Sequence, residues 1–105
     1  GDLKNKKVFI IDDMIDTAGT ICNAAVTAIE NGALSVTAIA THPVLSGKAI
    51  NRLESSPIDK VIVSDTIEIS DQKLFDKLEI ISVADIFAET IKRINSGESV
   101  SSLFK

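Results

Sequence analysis

The sequence predicts an α/β fold: a parallel sheet of about four strands with flanking helices. Three features of the chain lead there. Short apolar, β-branched runs recur along it, as buried parallel strands require. Helical apolar periodicity fills the gaps between those runs. Glycine, proline and polar clusters punctuate the boundaries.

The first strand is read at Val8 to Ile11, ending in Asp12 and Asp13. A helix follows, because Ile21, Ala24, Ala25, Ala28 and Ile29 fall on one face at helical spacing. Asn31 and Gly32 stop it, glycine being the usual residue just past a helix end. Leu34 to Ala40 is the second strand, closing at Thr41, His42 and Pro43. A short second helix is expected with Ser46 as its cap and Ala49, Ile50 and Leu53 turned inward. Pro57 prevents its continuation. Val61 to Val63 is the third strand and Leu78 to Val83 the fourth. Ser82 followed by Asp85 resembles a capping box that opens a third helix. Ala84, Phe87, Ala88, Ile91 and Ile94 share a face of it, and Gly97 ends it. The order β-α-β-α-β-β-α reads as βαβ crossovers. Doubly wound sheets usually carry about five or six strands. The chain is therefore expected to be a piece of a larger fold, or to complete its sheet through a partner.

Composition narrows the function. The chain has 105 residues, and 1–105 is read as a single domain. Its net charge of -4 leaves no basic excess to displace counterions, so no nucleic-acid partner is expected. The same charge argues against a polybasic membrane anchor, and no apolar run is long enough to span a bilayer. The opening GDLKNKK has no apolar stretch behind its basic residues, so no secretory leader is expected and the protein is read as cytoplasmic. One cysteine excludes an internal disulfide, and one histidine excludes a multi-histidine zinc site.

The chemistry is concentrated in VFIIDDMIDTAGT, Val8 to Thr20. A buried strand ends in adjacent acids, and Asp16, Thr17, Ala18, Gly19 and Thr20 then lead directly into a helix. A helix start offers unpaired N–H groups and a positive dipole end. Small residues let the backbone wrap an anion, and the threonines add hydroxyl donors, so the loop suits a phosphate. Carboxylates repel phosphate, so Asp12 and Asp13 are better suited to sugar hydroxyls or to Mg²⁺. Together these features describe a site for a phosphorylated pentose. Receiver domains also place paired acids after a first strand, but this chain has no later strand ending in lysine.

IIDDMIDTAGT resembles the 5-phosphoribosyl 1-diphosphate (PRPP) motif of the type I phosphoribosyltransferase fold. GDLKNKKVFIIDDMIDTAGTI, ATHPVLSGKAINRL, VIVSDTI and the terminal SVSSLF together resemble the C-terminal part of the ribose-phosphate pyrophosphokinase (PRPP synthetase) family, over essentially the whole chain. The resemblance implies a partial phosphoribosyltransferase-like fold. It implies an enzyme that transfers the β,γ-diphosphate of ATP to ribose 5-phosphate with Mg²⁺, giving PRPP and AMP. Asp12 and Asp13 would hold the ribose 2- and 3-hydroxyls and, directly or indirectly, Mg²⁺, and Asp16, Thr17, Ala18, Gly19 and Thr20 would form the 5-phosphate loop. Ser99, Ser101 and Ser102 would lie near a regulatory phosphate site between subunits of a homo-oligomer, commonly a hexamer. The catalytic residues are not identifiable, and Asp16 is as readily a loop-shaping residue as a base. ATP would be bound through N-terminal regions of the family that this chain does not contain. The chain alone is accordingly expected to be inactive. Its only arginines, Arg52 and Arg93, are expected to lie away from the motif.

The remaining candidates have plain structural readings. His42 is expected to be structural, Cys22 to be a small core residue, and Asp65 with Thr66 to stand beside the site with a water- or metal-mediated role open to Asp65. Two other functions fit the first motif: a nucleobase phosphoribosyltransferase fragment, or a non-catalytic regulatory protein that associates with the synthetase.

Overall fold

The computed structural model describes residues 3–97. Four strands form one sheet: β1 (Lys7–Ile15), β2 (Ser35–Pro43), β3 (Lys60–Ser64) and β4 (Leu78–Ile81). They lie in the order β1-β2-β3-β4, and every neighbouring pair is parallel. Helix α1 (Gly19–Glu30) joins β1 to β2, and α2 (Ala49–Ser55) joins β2 to β3. A single 3₁₀ turn at Asp71–Lys73 precedes β4, and α3 (Val83–Ser96) follows it. The predicted α/β class, the parallel sheet and the element order are all present.

The core lies between the sheet and the α1–α2 layer. Val36, Ala38 and Ala40 of β2 and Val61 and Val63 of β3 are buried, as strand alternation requires of one face. Ile21, Ala25 and Ala28 of α1 and Ala49 and Leu53 of α2 close over them. Alanine dominates this interface, so the helices approach the sheet closely and small changes in volume will be felt. Ala24 and Ile29, expected on the inner face of α1, are exposed, so the buried stripe is narrower than the periodicity suggests. In α2 the face is as expected, with Ile50 half-buried at its margin.

Two strands run further than their apolar runs. β1 continues through Asp12, Asp13 and Met14 to Ile15, and β2 through Thr41 and His42 to Pro43. The pairing itself carries them on: Asp12 sits beside Ala40, Met14 beside His42 and Ile15 beside Pro43. Backbone ladder bonds do not depend on side-chain polarity.

Among the described residues, the other face of the sheet is open at β1. Phe9 is 59% exposed and Ile11 is 75% exposed. In α3 the predicted start and stop are both present: Ser82 accepts a hydrogen bond from the Asp85 amide, and Gly97 is left-handed at φ 78. Its apolar face, however, is not buried among the described residues, with Ile91 at 60% and Ile94 at 65% exposure. The expectations for the side chain of Phe87 and for Ser99, Ser101 and Ser102 lie outside the described residues.

Candidate functional site

The strands' carboxyl ends place three connections at one edge of the sheet. The turn after β1 and the connection after β2 are tied together there. Leu45 N–H donates to Ile15 O at 2.9 Å, and Ser46 N–H donates to Asp16 O at 2.9 Å. The Ser46 hydroxyl also donates to the Asp16 carboxylate. Ser46 is therefore not the cap of α2: Lys48 holds that position, with no side-chain capping bond. Asp16 thereby ties the turn after β1 to the connection after β2.

Residues 17–21 form the floor of the site. Ala18 occupies the N-cap of α1 with φ 68 and makes no side-chain cap bond. The first intrahelical bond here runs from Cys22 N–H to Ala18 O at 3.1 Å. None of the amides from Thr17 to Ile21 donates a hydrogen bond within the described residues. The hydroxyls of Thr17 and Thr20 are uncommitted as well. Neither Asp16 nor Thr17 caps the helix, although both are good capping residues. The result is a run of free donors at the positive end of a helix dipole, a preorganised anion cradle.

The cradle opens into a hollow of about 170 Å³ lined by Asp12 and the turn from Met14 to Ile21. Asp13 is not part of this lining. The two acids, predicted as a pair, remain neighbours, but only Asp12 borders the hollow. Asp12 is exposed, and its Oδ1 accepts the Asp13 amide at 2.8 Å. Hydrogen bonding to Asp13, through the side chain first and the amide second, holds the Asp12 carboxyl below its ordinary value. Asp12 is thus an acceptor-only carboxylate facing the cradle. No group of three or more histidine, cysteine, aspartate or glutamate side chains able to hold a metal occurs among the described residues. One carboxylate beside free amide donors would nonetheless fit Mg²⁺, which keeps several waters and needs few protein ligands.

Arg52 is where the structure corrects the sequence reading. It was expected to lie away from the motif, yet its Nη1 donates to Thr17 O at 2.9 Å. α2 packs beside α1 and carries the guanidinium under the turn. No local signal in the sequence gives this contact, because it joins residues 35 apart.

The other candidates make local structural contacts. His42 Nδ1 pairs with Thr66 Oγ1 at 2.9 Å, and Thr66 Oγ1 also donates to Thr41 O at 3.0 Å. Asp65 Oδ1 accepts the Val83 amide at 2.7 Å, so it caps α3. Cys22 is half-buried, and burial pushes its thiol up, so it is neutral near pH 7. No helix of the described residues is long and apolar enough to cross a membrane.

Comparison with known proteins follows the same line. The model of the phosphoribosyl synthetase-associated domain matches residues 1–105. A ribose-phosphate pyrophosphokinase of Caldanaerobacter subterraneus is 52% identical over 104 residues, covering 99% of this chain and 33% of the relative. One from Clostridium acetobutylicum is 51% identical over 105 residues, covering 100% of this chain and 33% of the relative. The crystal structure of phosphoribosylpyrophosphate synthetase from Mycobacterium smegmatis aligns with a TM-score of 0.80 at 41% identity, covering 92% of this chain and 33% of that one. The chain therefore spans about a third of the length of these relatives.

Proposed function

The chain belongs to the phosphoribosyl synthetase-associated domain family, with ribose-phosphate pyrophosphokinases as its relatives, and from that premise we propose that it carries the ribose 5-phosphate and PRPP site of such an enzyme. Residues 1–105 are the C-terminal portion of a synthetase of the phosphoribosyltransferase-like fold. The parent transfers the β,γ-diphosphate of ATP to the anomeric hydroxyl of ribose 5-phosphate, giving PRPP and AMP. The observation that carries this reading is the run of unpaired amides from Thr17 to Ile21 facing the same hollow as Asp12. The amides and the hydroxyls of Thr17 and Thr20 hold the 5-phosphate, and the ionised Asp12 accepts from ribose hydroxyls. Asp13, beside Asp12 but outside the lining of the hollow, serves the sugar or Mg²⁺ indirectly. Mg²⁺, when bound, neutralises phosphate charge beside Asp12.

Protein groups do little covalent chemistry in such a transfer. They position the reactants and stabilise developing charge. The ATP contacts and cationic groups lie in the parts of the relatives outside this chain, so the chain alone is inactive. The parent is a cytoplasmic homo-oligomer, a hexamer by its resemblance to the family, with Ser99, Ser101 and Ser102 near a regulatory phosphate. The names of the relatives favour this reading over a nucleobase phosphoribosyltransferase. Titration of the purified chain with ribose 5-phosphate and Mg²⁺, followed by amide NMR, tests it. Saturable shifts from Asp12 to Thr20, weakened in Thr20→Ala, are expected. A dispersed spectrum with no shift in that stretch defeats the reading.

A further inference from the structure

We propose that Arg52 is the positioning residue of the phosphate cradle: its guanidinium, reaching across from α2, sets the orientation of the Thr17–Ala18 peptide. The inference rests on the reading of that turn as a phosphate site. Its starting point is the 2.9 Å bond from Arg52 Nη1 to Thr17 O. The Thr17–Ala18 peptide is trans, as is every peptide among the described residues, so the Thr17 carbonyl and the Ala18 N–H point in opposite directions across one plane. Holding the carbonyl toward α2 turns the Ala18 N–H away from α2.

Two further observations support a designed contact. Arg52 does not line the hollow formed by Asp12 and the turn. It lines a separate one with Cys22, Asn23 and Ser56, and Gly19 borders both. The guanidinium is thus behind the cradle rather than in it. It also lies close under the turn, since a Cβ on Gly19 would stand 3.9 Å from Arg52 Nη1. Second, Ala18 holds a left-handed conformation at φ 68, which a residue with a Cβ adopts at a cost. Such a conformation persists only where its surroundings over-determine it. Asp16 is fixed by Ser46 on one side of Thr17, and Arg52 fixes Thr17 itself. A planar guanidinium loses little freedom in making such a bond, and a charged donor makes it strong. The amide run is therefore preorganised before any anion arrives, and an anion need not spend binding energy on ordering it.

The test is amide NMR on the 105-residue chain, with and without ribose 5-phosphate, for wild type, Arg52→Met and Thr20→Ala. Arg52→Met is expected to move the Thr17 carbonyl and Ala18 amide signals in the free chain and to weaken ribose 5-phosphate binding about tenfold. Arg52→Lys is expected to recover part of both effects. Thr20→Ala is expected to weaken binding while leaving the free-state Ala18 amide in place. Weakened binding in Arg52→Met with an unmoved Ala18 amide would mean a direct or purely electrostatic contact, and the proposal would fall. Unchanged binding in Arg52→Met would also overturn it, while the cradle reading would stand. No binding by folded wild type would defeat both the cradle and the role assigned here. Arg52 is exposed, so the methionine variant should fold. If it does not, Arg52→Gln, too short to reach Thr17 O, takes its place with the same expected results.

Discussion

At the scale of single residues, the site depends on charge state and on which side chains border the hollow. Asp12 is the clearest case. Its carboxyl lies below the ordinary 3.8 because Asp13 hydrogen-bonds to it, first through the side chain and then through the amide. The sign follows from a lowered acid: the charged form persists as pH falls past the usual range and is lost only below it. Asp12 is exposed, so the shift bears on how it meets a ligand rather than on folding stability. Carboxyl carbon NMR of the free chain is expected to place the Asp12 midpoint below 3.8, and Asp13→Ala to move it up. A wild-type midpoint at or above 3.8 would mean that the Asp13 contacts do not act in solution. Most of the lining of the hollow was legible in the sequence, because it falls in one contiguous stretch whose small, hydroxylic and acidic residues stand out. Arg52 was not legible. It reaches Thr17 only through the packing of α2 beside α1, which no local pattern encodes. That Asp12 lines the hollow and Asp13 does not was equally illegible, because it depends on how the strand end meets the turn.

At the scale of elements, the centres of strands and helices could be read and their ends could not. Apolar runs mark where side chains are buried, whereas strand ends are decided by backbone pairing, which carries β1 through two aspartates to Ile15. Local caps were the exception. The Ser82 cap and Gly97 stop of α3 were predictable because both act within a few residues of the helix. Ser46 shows the opposite outcome: a good capping residue whose hydroxyl is taken by Asp16 from another connection. The stop of α1 joins local and distant constraints. Gly32 has φ 92, and its carbonyl accepts the Asn5 amide at 3.0 Å. A Cβ there would meet the Lys4 Cα, a backbone atom, at 3.1 Å. Gly32→Ala therefore suffers both a left-handed backbone and a crowded contact that no side-chain rotation relieves. We expect a loss of about 1–3 kcal/mol. In a domain of this size each kcal/mol corresponds to a drop of about 4–8 °C in Tm. Thermal unfolding of the variant checks this, and an unchanged Tm would mean that the lead-in at Lys4 and Asn5 gives way freely.

At the scale of the whole molecule, the described residues cover the sheet with helices on one side only. Parallel sheets are normally buried on both faces, since their crossovers lay helices there. Here α1 and α2 close over the face of Val36, Ala38, Ala40, Val61 and Val63. By alternation and register, the other face carries Phe9 and Ile11 beside Thr37 and Ile39, with Ile62 next to Ile39. Phe9 and Ile11 are largely exposed, and β1 is also an edge strand with an unpaired row of backbone groups. An apolar patch joined to an open edge is where isolated chains associate or aggregate. The 105-residue chain by itself is therefore expected to bind a hydrophobic dye while folded and to elute above its monomer mass, increasingly so with concentration. Phe9→Lys with Ile11→Lys should lower dye binding and restore the monomer. It should leave the dispersed amide spectrum intact, because neither side chain belongs to the buried cluster. The same variant should keep its ribose 5-phosphate shifts, since the hollow opens at the strand ends and neither residue lines it. Loss of folding in the double variant would mean that this face is part of the chain's own core. A wild-type chain that is monomeric and silent to the dye would mean that the face is covered in solution from within the chain, including residues outside 3–97.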